Sequence, residues 1–314
     1  MRDGGAPAQP GAQPVSGVGV VVVTRDRRER VCGTLDRIAT VAGDAPVVVV
    51  DNGSTDGTAE AVRAAHPRVR VNHLPYNAGP AARTVGARAL GTPIVAFNDD
   101  DSWWAPGALE RAEAMFEAYP RLGLLAARIL VGPAEKLDPT CVAMLESPLA
   151  PEPDLPGPSV LGFVACGTIV RRSAYLATGG FSPRIGFGGE ETLLALDLAA
   201  AGWGLSYVDE VVAHHHPEAS GGHTSRSRTE LRNGLWTAWL RRRPAGAIGR
   251  TAELARHAVR RRELGALVEA ARGLGWVTRE RRPLSPSLER AARAVDRAEA
   301  SRSAAAEHRG TGVS

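Results

Sequence analysis

Residues 93–104 read PIVAFNDDDSWW. An apolar run ends there in three consecutive aspartates, followed by two tryptophans. Like charges side by side repel, so a fold has little structural reason to choose them. The run that leads into them is one of three: VGVVVV spans 18–23 and VVVV spans 47–50. Continuous, largely β-branched runs of this length suit strands of a parallel sheet covered on both faces. Between them, Val31, Leu35, Ile38 and Ala42 recur at helical spacing, and residues 56–65 and 79–90 are Ala-rich and helix-like. This βαβαβ alternation predicts an α/β fold built on an open sheet. Ligands of such sheets sit beyond the carboxyl ends of the strands. Functional weight therefore falls on Thr24-Arg25-Asp26, Asp51-Asn52-Gly53 and Asn98 to Asp101.

Further along, Pro106 can open a helix at its first position, with Leu109, Ala112 and Phe116 on its apolar side. Residues 132–158 are rich in proline and poor in pattern, and read as a long loop. FVACGTIV, 163–170, is expected as a strand, with Ser173 capping a short helix that ends near Gly179-Gly180. A helix is expected over Glu190–Ala201, closed by Gly202, and LSYV, 205–208, reads as the final strand before HHHP, 214–217. Leu235, Trp236, Trp239 and Leu240 share a helical face that favours packing. The expected organisation is a disordered leader over 1–16, one α/β domain over 17–240, a helical C-terminal extension over 241–300 and a frayed tail over 301–314.

Composition narrows the class. Of 314 residues, 44% are hydrophobic and 23% charged, with a formal net charge of +4, as in an ordinary soluble protein. The positive charge is nearly all arginine and is densest after residue 225. No basic block with interleaved aromatics lies in the body of the chain, which argues against a nucleic-acid partner; a basic C-terminal region suits an anionic membrane surface instead. Cys32, Cys141 and Cys166 are scattered and odd in number, which speaks against a disulfide framework or a zinc site. With no signal-peptide core and no long apolar span, the expected location is cytoplasmic, with room for peripheral contact at the inner membrane face.

From the residues alone, Asp99-Asp100-Asp101 has three readings. They are charges in a solvated loop, an acidic cluster before the helix at Pro106, or a divalent cation site. Aspartates at i and i+2 point the same way from an extended chain. Asp99 and Asp101 could thus share a hard cation and leave coordination positions for phosphate oxygens. Asp51 can likewise serve an Asx-type turn, Ser54 and Asp56 can cap the next helix, and Glu190 and Glu191 can sit in a helical first turn favoured by its dipole. Arg83 can be a surface residue and HHHP a polar strand end, along which His214 and His216 would face one way and His215 the other. Trp103 and Trp104 can anchor the loop or stack on a sugar ring.

Four stretches occur in order: VVVVDNGSTDGT (47–58), NAGPAARTVGARALGTPIVAFNDDDSWW (77–104), RRSAYLATGGF (171–181) and GFGGEETLLALDLAAAGW (186–203). Together they resemble family 2 glycosyltransferases, which have the Rossmann-like GT-A fold, over roughly residues 17–216. The resemblance implies that Asp99 and Asp101 form a D-x-D motif holding Mn²⁺ or Mg²⁺ against a nucleoside diphosphate sugar. Asp100 would lie near the ribose or sugar. It implies that Asp51 faces the base, accepting the N3–H of uracil or thymine, which favours UDP- or dTDP-sugars over GDP-sugars. Thr24 and Arg25 would line that pocket, and Arg83 would face base or phosphate, although Thr84 stands where many relatives have Asn. The general base would be Glu191, replacing the usual Asp of a Glu-Asp pair, with Glu190 as the substitute. Some metal-dependent glycosyltransferases add a histidine to the D-x-D site. His214 is the first choice here and His216 the second.

The expected activity is metal-assisted transfer of a sugar, with inversion, to an acceptor hydroxyl of a glycan, lipid-linked sugar or small metabolite. Two rivals stand beside it. A nucleotide-sugar binding protein without activity is opposed by the intact Asp99, Asp101 and Glu191. A sugar nucleotidyltransferase would need a Lys- and Gly-rich phosphate loop after the first strand, and VVVTRDRRER, 21–30, has none.

Overall fold

The computed structural model describes residues 17–218 and 223–310. The leader expected over 1–16 lies outside the described residues. The first half runs β1 (Val18–Thr24), α1 (Arg28–Val41), β2 (Val47–Asp51), α2 (Thr58–Ala65), β3 (Arg70–His73), α3 (Ala82–Ala89), β4 (Ile94–Asp99) and β5 (Ser102–Trp104). The middle adds α4 (Ala108–Ala118), β6 (Leu122–Val131), β7 (Lys136–Leu137), α5 (Pro139–Leu145), β8 (Thr168–Arg171), α6 (Arg172–Ala177), α7 (Glu190–Ala200) and β9 (Gly204–His215). Five helices close the chain: α8 (His223–Arg241), α9 (Pro244–Arg260), α10 (Leu264–Arg272), α11 (Leu274–Arg279) and α12 (Pro286–Gly310).

The strands form one mixed sheet in the order β3-β2-β1-β4-β8-β6-β9-β5, with β7 on β6. All seven residues of β1 are buried, as a strand between two parallel neighbours requires. Burial of each valine contributes roughly 1.5–3 kcal/mol. The register decides the site: Thr24 pairs with Asp51, and Val23 pairs with Asp99. Three strand ends therefore finish at one level. A fourth element reaches them from the far side, because β5 pairs with β9 so that Ser102 lies opposite His215.

Several local expectations change. Helix α4 begins at Ala108, not Pro106, behind the left-handed Gly107. Of the expected 163–170 strand only 168–170 is extended, as part of β8, after a 3₁₀ turn at Ala165–Gly167. Ser173 lies inside α6, whose N-cap is Arg171 with no side-chain cap. The 132–158 loop contains β7 and α5, the latter capped by Asp138, which accepts from Thr140 N. The final strand runs on from 205–208 through His215. Residues 301–310, expected to fray, continue α12, while 311–314 lie outside the described residues. Leu235 and Leu240 are buried in α8, and Trp236 and Trp239 pack with Ile185, Leu193 and Val277.

Candidate active site

A cleft of about 940 Å³ opens at the carboxyl ends of β1 and β4. Its lining includes Thr24, Arg25, Arg83, the three aspartates with His215 beside them, and the Gly186–Glu191 segment. The aspartates are held in a turn that leaves them little freedom. Asn98 Nδ2 donates to Ser102 O at 2.9 Å, Trp104 Nε1 donates to Asn98 Oδ1 at 2.7 Å, and Asp99 N donates to Ser102 Oγ at 2.9 Å. Thr34 of α1 fixes the Asp100 carbonyl at 2.7 Å. Trp104 is thus a buried anchor. Trp103 is covered by the Arg37 guanidinium at 3.9 Å and by the His214 and His216 rings, so it is not bare for a sugar.

Cations surround the carboxylates. Asp99 accepts from Arg83 of α3, a residue only 2% exposed whose Nε and other terminal nitrogen make no hydrogen bond. Asp100 accepts from Thr24 Oγ1 at 3.0 Å and Arg27 at 3.1 Å. Burial nonetheless pushes its carboxyl up to about 6, against the pull of Arg27. Asp101 has Arg27 and Arg30 each 3.5 Å from Oδ2 and His215 Nε2 3.4 Å from Oδ1. Burial works to raise its pKa, but His215 and the two arginines hold it below the usual range. Arg25 is half-exposed and leans on Asp26 at 3.5 Å.

The histidine facing the aspartates is His215. His214 turns away to Glu135 at 3.4 Å and to Trp103, and His216 also packs on Trp103. The choice of His214 or His216 is corrected on this point: alternation along β9 does place the two together, but on the face away from Asp101. Asp51 departs from expectation too. It is fully buried, accepts from Ser54 N at 2.9 Å through Oδ1 and faces His73 Nδ1 at 3.1 Å through Oδ2. His73 is its register partner on β3. The carboxylate is thus spent on the turn and the neighbouring strand, and Asn52 lines the cleft in its place.

The second acidic pair opens α7. Its approach is possible only for glycine: Gly188 has φ +101°, and a Cβ there would meet Glu230 Cγ at 2.6 Å. Asn233 of α8 holds this loop, donating to Gly186 O at 2.9 Å and Gly188 O at 2.8 Å. Glu190 accepts from Gly188 N at 2.5 Å. Burial raises the pKa of both acids, and the charge of Glu190 adds to the effect on Glu191, pushed up to about 8. Arg83 lies close enough to oppose both shifts. Thr84 joins two elements away from the cleft. Its hydroxyl bonds Tyr175 OH at 2.7 Å and accepts from Phe181 N at 3.2 Å, tying α3 to the RRSAYLATGGF stretch.

The donor set suits a hard cation. Asp101 Oδ1 is buried without a well-directed hydrogen bond, and carboxylate oxygens with one imidazole are ligands Mn²⁺ accepts. Among the described residues, no three Asp, Glu, His or Cys side chains already converge on one metal position.

The family model described as Glycosyl transferase family 2 matches residues 19–177, about half of the chain. The chain belongs to that family. This glycosyltransferase is 26% identical over 244 residues to an N-acetylglucosaminyl-diphospho-decaprenol L-rhamnosyltransferase of Mycobacterium tuberculosis, covering 62% of this chain and 78% of the relative. It is 32% identical over 217 residues to a pre-mycofactocin glycosyltransferase of the same species, covering 65% of this chain but 42% of that protein. Among solved structures, a mannosyltransferase from Pyrobaculum calidifontis in complex with GDP-Man and Mn²⁺ superposes with a TM-score of 0.59 at 23% identity. That likeness covers 83% of this chain and 74% of the other, and shows the GT-A fold. Sequence reasoning missed Arg27, Arg30 and Asn233, gave Asn52 a place at a strand end but no role, and passed over His215 for its neighbours. Only His215 left a signal, through the alternation of HHHP.

Proposed function

We propose that this glycosyltransferase moves a sugar from a nucleoside diphosphate sugar to an acceptor hydroxyl with inversion. The observation that carries the reading is one cleft in which Asp99, Asp101 and Arg83 face Glu190 and Glu191. Asp99 and Asp101 would hold Mn²⁺ or Mg²⁺, with His215 beside them. Such an ion supplies charge stabilisation to a departing diphosphate. The unpartnered nitrogens of Arg83 offer donors to the same phosphates. Thr24 fixes Asp100 on the donor side, and Arg25 lies at the rim where a nucleoside would enter.

Glu191 takes the proton of the acceptor hydroxyl as its oxygen bonds to the anomeric carbon. The bond from that carbon to the diphosphate oxygen breaks, and nucleoside diphosphate leaves with the electron pair. Attack opposite the leaving group inverts the centre. A base held above its ordinary pKa is strong enough for this and is ionised only in mildly alkaline solution. The preference for uracil or thymine rested on Asp51, whose carboxylate is turned away, so the reading extends to any nucleoside diphosphate. Proteins of this fold have been solved with GDP-Man and with UDP-GlcNAc. The test is a thermal-shift panel of nucleoside diphosphates and their sugars, with and without Mn²⁺, on the parent and Asp101→Ala. No metal-dependent shift in the parent would sink the reading.

A second surface bears on where the acceptor is met. Residues 243–282 hold ten arginines against four glutamates. Ile248 and Val259 are exposed on one face of α9, and Leu264 and Val268 on one face of α10. Basic helices with bare apolar residues suit the surface of an anionic membrane. Among the described residues no helix is long and apolar enough to cross one. Salt-sensitive sedimentation with phosphatidylserine vesicles, absent with phosphatidylcholine alone, is the expected result.

A further inference from the structure

Beside the cleft lies a second cavity of about 380 Å³ between α7 and the C-terminal helices α8, α9 and α12. The two spaces share Gly189 and Glu230 in their walls, so they meet next to the Glu190-Glu191 pair. Nearly all of the second cavity is built from residues beyond 177, outside the stretch the family model matches. Its apolar wall is Leu161, Leu196, Leu231 and Leu254. Its charged lining balances: Arg242, Arg250 and Arg261 against Glu230, Asp296 and Glu299. A ligand is therefore not selected for net charge.

One group in this cavity has nothing to do in the free protein. Thr237 of α8 is 4% exposed, and its Oγ1 is buried with no hydrogen-bond partner. A buried hydroxyl without a partner costs free energy. Valine would fill the same space at no such cost, so the hydroxyl points to a polar atom that arrives with a ligand.

We propose that this cavity is the acceptor subsite, and that it takes a neutral, hydroxylated molecule with an apolar face. The inference rests on the transfer reading given above. The apolar face lies on the leucine wall, one hydroxyl bonds Thr237 Oγ1, and the reacting hydroxyl projects past Gly189 toward Glu191. The volume falls in the lower part of the range for small-molecule pockets, which suits one sugar ring with a short apolar group rather than a long glycan.

The test uses phenyl β-D-glucoside as probe on the full chain, read by saturation-transfer NMR. Two variants address the site without touching the cleft. Gly162 lines the cavity, and a Cβ built on it meets nothing within 4 Å, so Gly162→Leu narrows the cavity without forcing the backbone. Thr237→Val removes the hydroxyl at constant shape. Saturable binding is expected in the parent, lost in Gly162→Leu and weakened about 2–10-fold in Thr237→Val. Thr237→Val should melt no lower than the parent. With UDP-glucose or GDP-mannose as donor, the probe should change the release of nucleoside diphosphate in the parent and not in Gly162→Leu. No binding to the parent, or undiminished binding to Gly162→Leu, overturns the site. Binding that leaves nucleoside diphosphate release unchanged overturns its role as acceptor subsite. Binding of UDP or GDP with Mn²⁺, measured separately, should be equal in all three proteins; its absence from the parent would defeat the transfer reading and not the cavity.

Discussion

His215 sets Nε2 3.4 Å from Asp101 Oδ1, across the ladder in which it faces Ser102. The last residue of the longest strand is thereby brought to the acidic turn that follows β4. If the two side chains share a cation, His215→Ala should raise the Mn²⁺ concentration needed for half-maximal activity by roughly 10–100-fold, while His214→Ala leaves it near the parental value. EDTA should abolish transfer and added Mn²⁺ restore it. Metal titrations of activity decide between the histidines, and full turnover by metal-free protein would remove the site altogether.

Glu191→Gln keeps size and hydrogen bonding but cannot accept a proton. Transfer should fall on the order of 10²–10⁴-fold with donor binding almost unchanged. Glu191→Asp should keep measurable activity if the backbone of α7 stands where the shorter acid can reach. Calorimetry with donor and single-turnover transfer separate the two effects. Loss of transfer in Glu190→Gln alone would move the base to Glu190.

The raised pKa of Glu191 has a sign that can be checked twice. The base must be ionised, so kcat should rise with pH through the region of about 8. Removing the neighbouring charge in Glu190→Gln should shift that limb to lower pH. In stability the effect is opposite. The native state holds a proton that the unfolded chain releases near pH 4.5, so this group's contribution declines as pH rises from there through about 8. Glu191→Gln should therefore raise the melting temperature relative to the parent, and more at pH 9 than at pH 5.

Arg83 is buried between Asp99 and the acidic pair. Arg83→Met should cost ~1–3 kcal/mol through its lost charge-assisted hydrogen bond. It should also weaken nucleoside diphosphate binding more than nucleoside binding. Urea denaturation and calorimetry check the two parts; equal loss for nucleoside and diphosphate would place the arginine at the base.

Asp51→Ala should lower stability by ~1–3 kcal/mol, since it frees Ser54 N and His73, and should leave the preference among nucleoside diphosphates unchanged. A selective loss of uridine diphosphate affinity at an unchanged melting temperature would return Asp51 to the base pocket.

The inner strands of the sheet were legible because β1 and β2 are continuous valine runs, and the aspartate turn because three like charges demand a reason. The two edge strands, β3 and β5, were not. β5 is three residues long, and β3 has no apolar signature in RVNH, 70–73. The 132–158 segment hid a helix behind proline, which serves at its first turn. In the site, spacing predicted which histidines share a face but not which face meets Asp101, since that depends on how β9 pairs with β5. Asn233 was unreadable for a similar reason: its partners are backbone carbonyls 45 and 47 residues away.

The bonds among Asn98, Ser102 and Trp104 that fix the aspartate turn also bear on rates. A loop that must close over its ligand slows capture, whereas this turn is already set before anything arrives. Association of a metal-bound nucleotide should then approach the ordinary encounter rate, with the retreat of Arg27 and Arg30 as the remaining step. Substitutions around the turn would show themselves in how long the nucleotide stays rather than in how fast it comes.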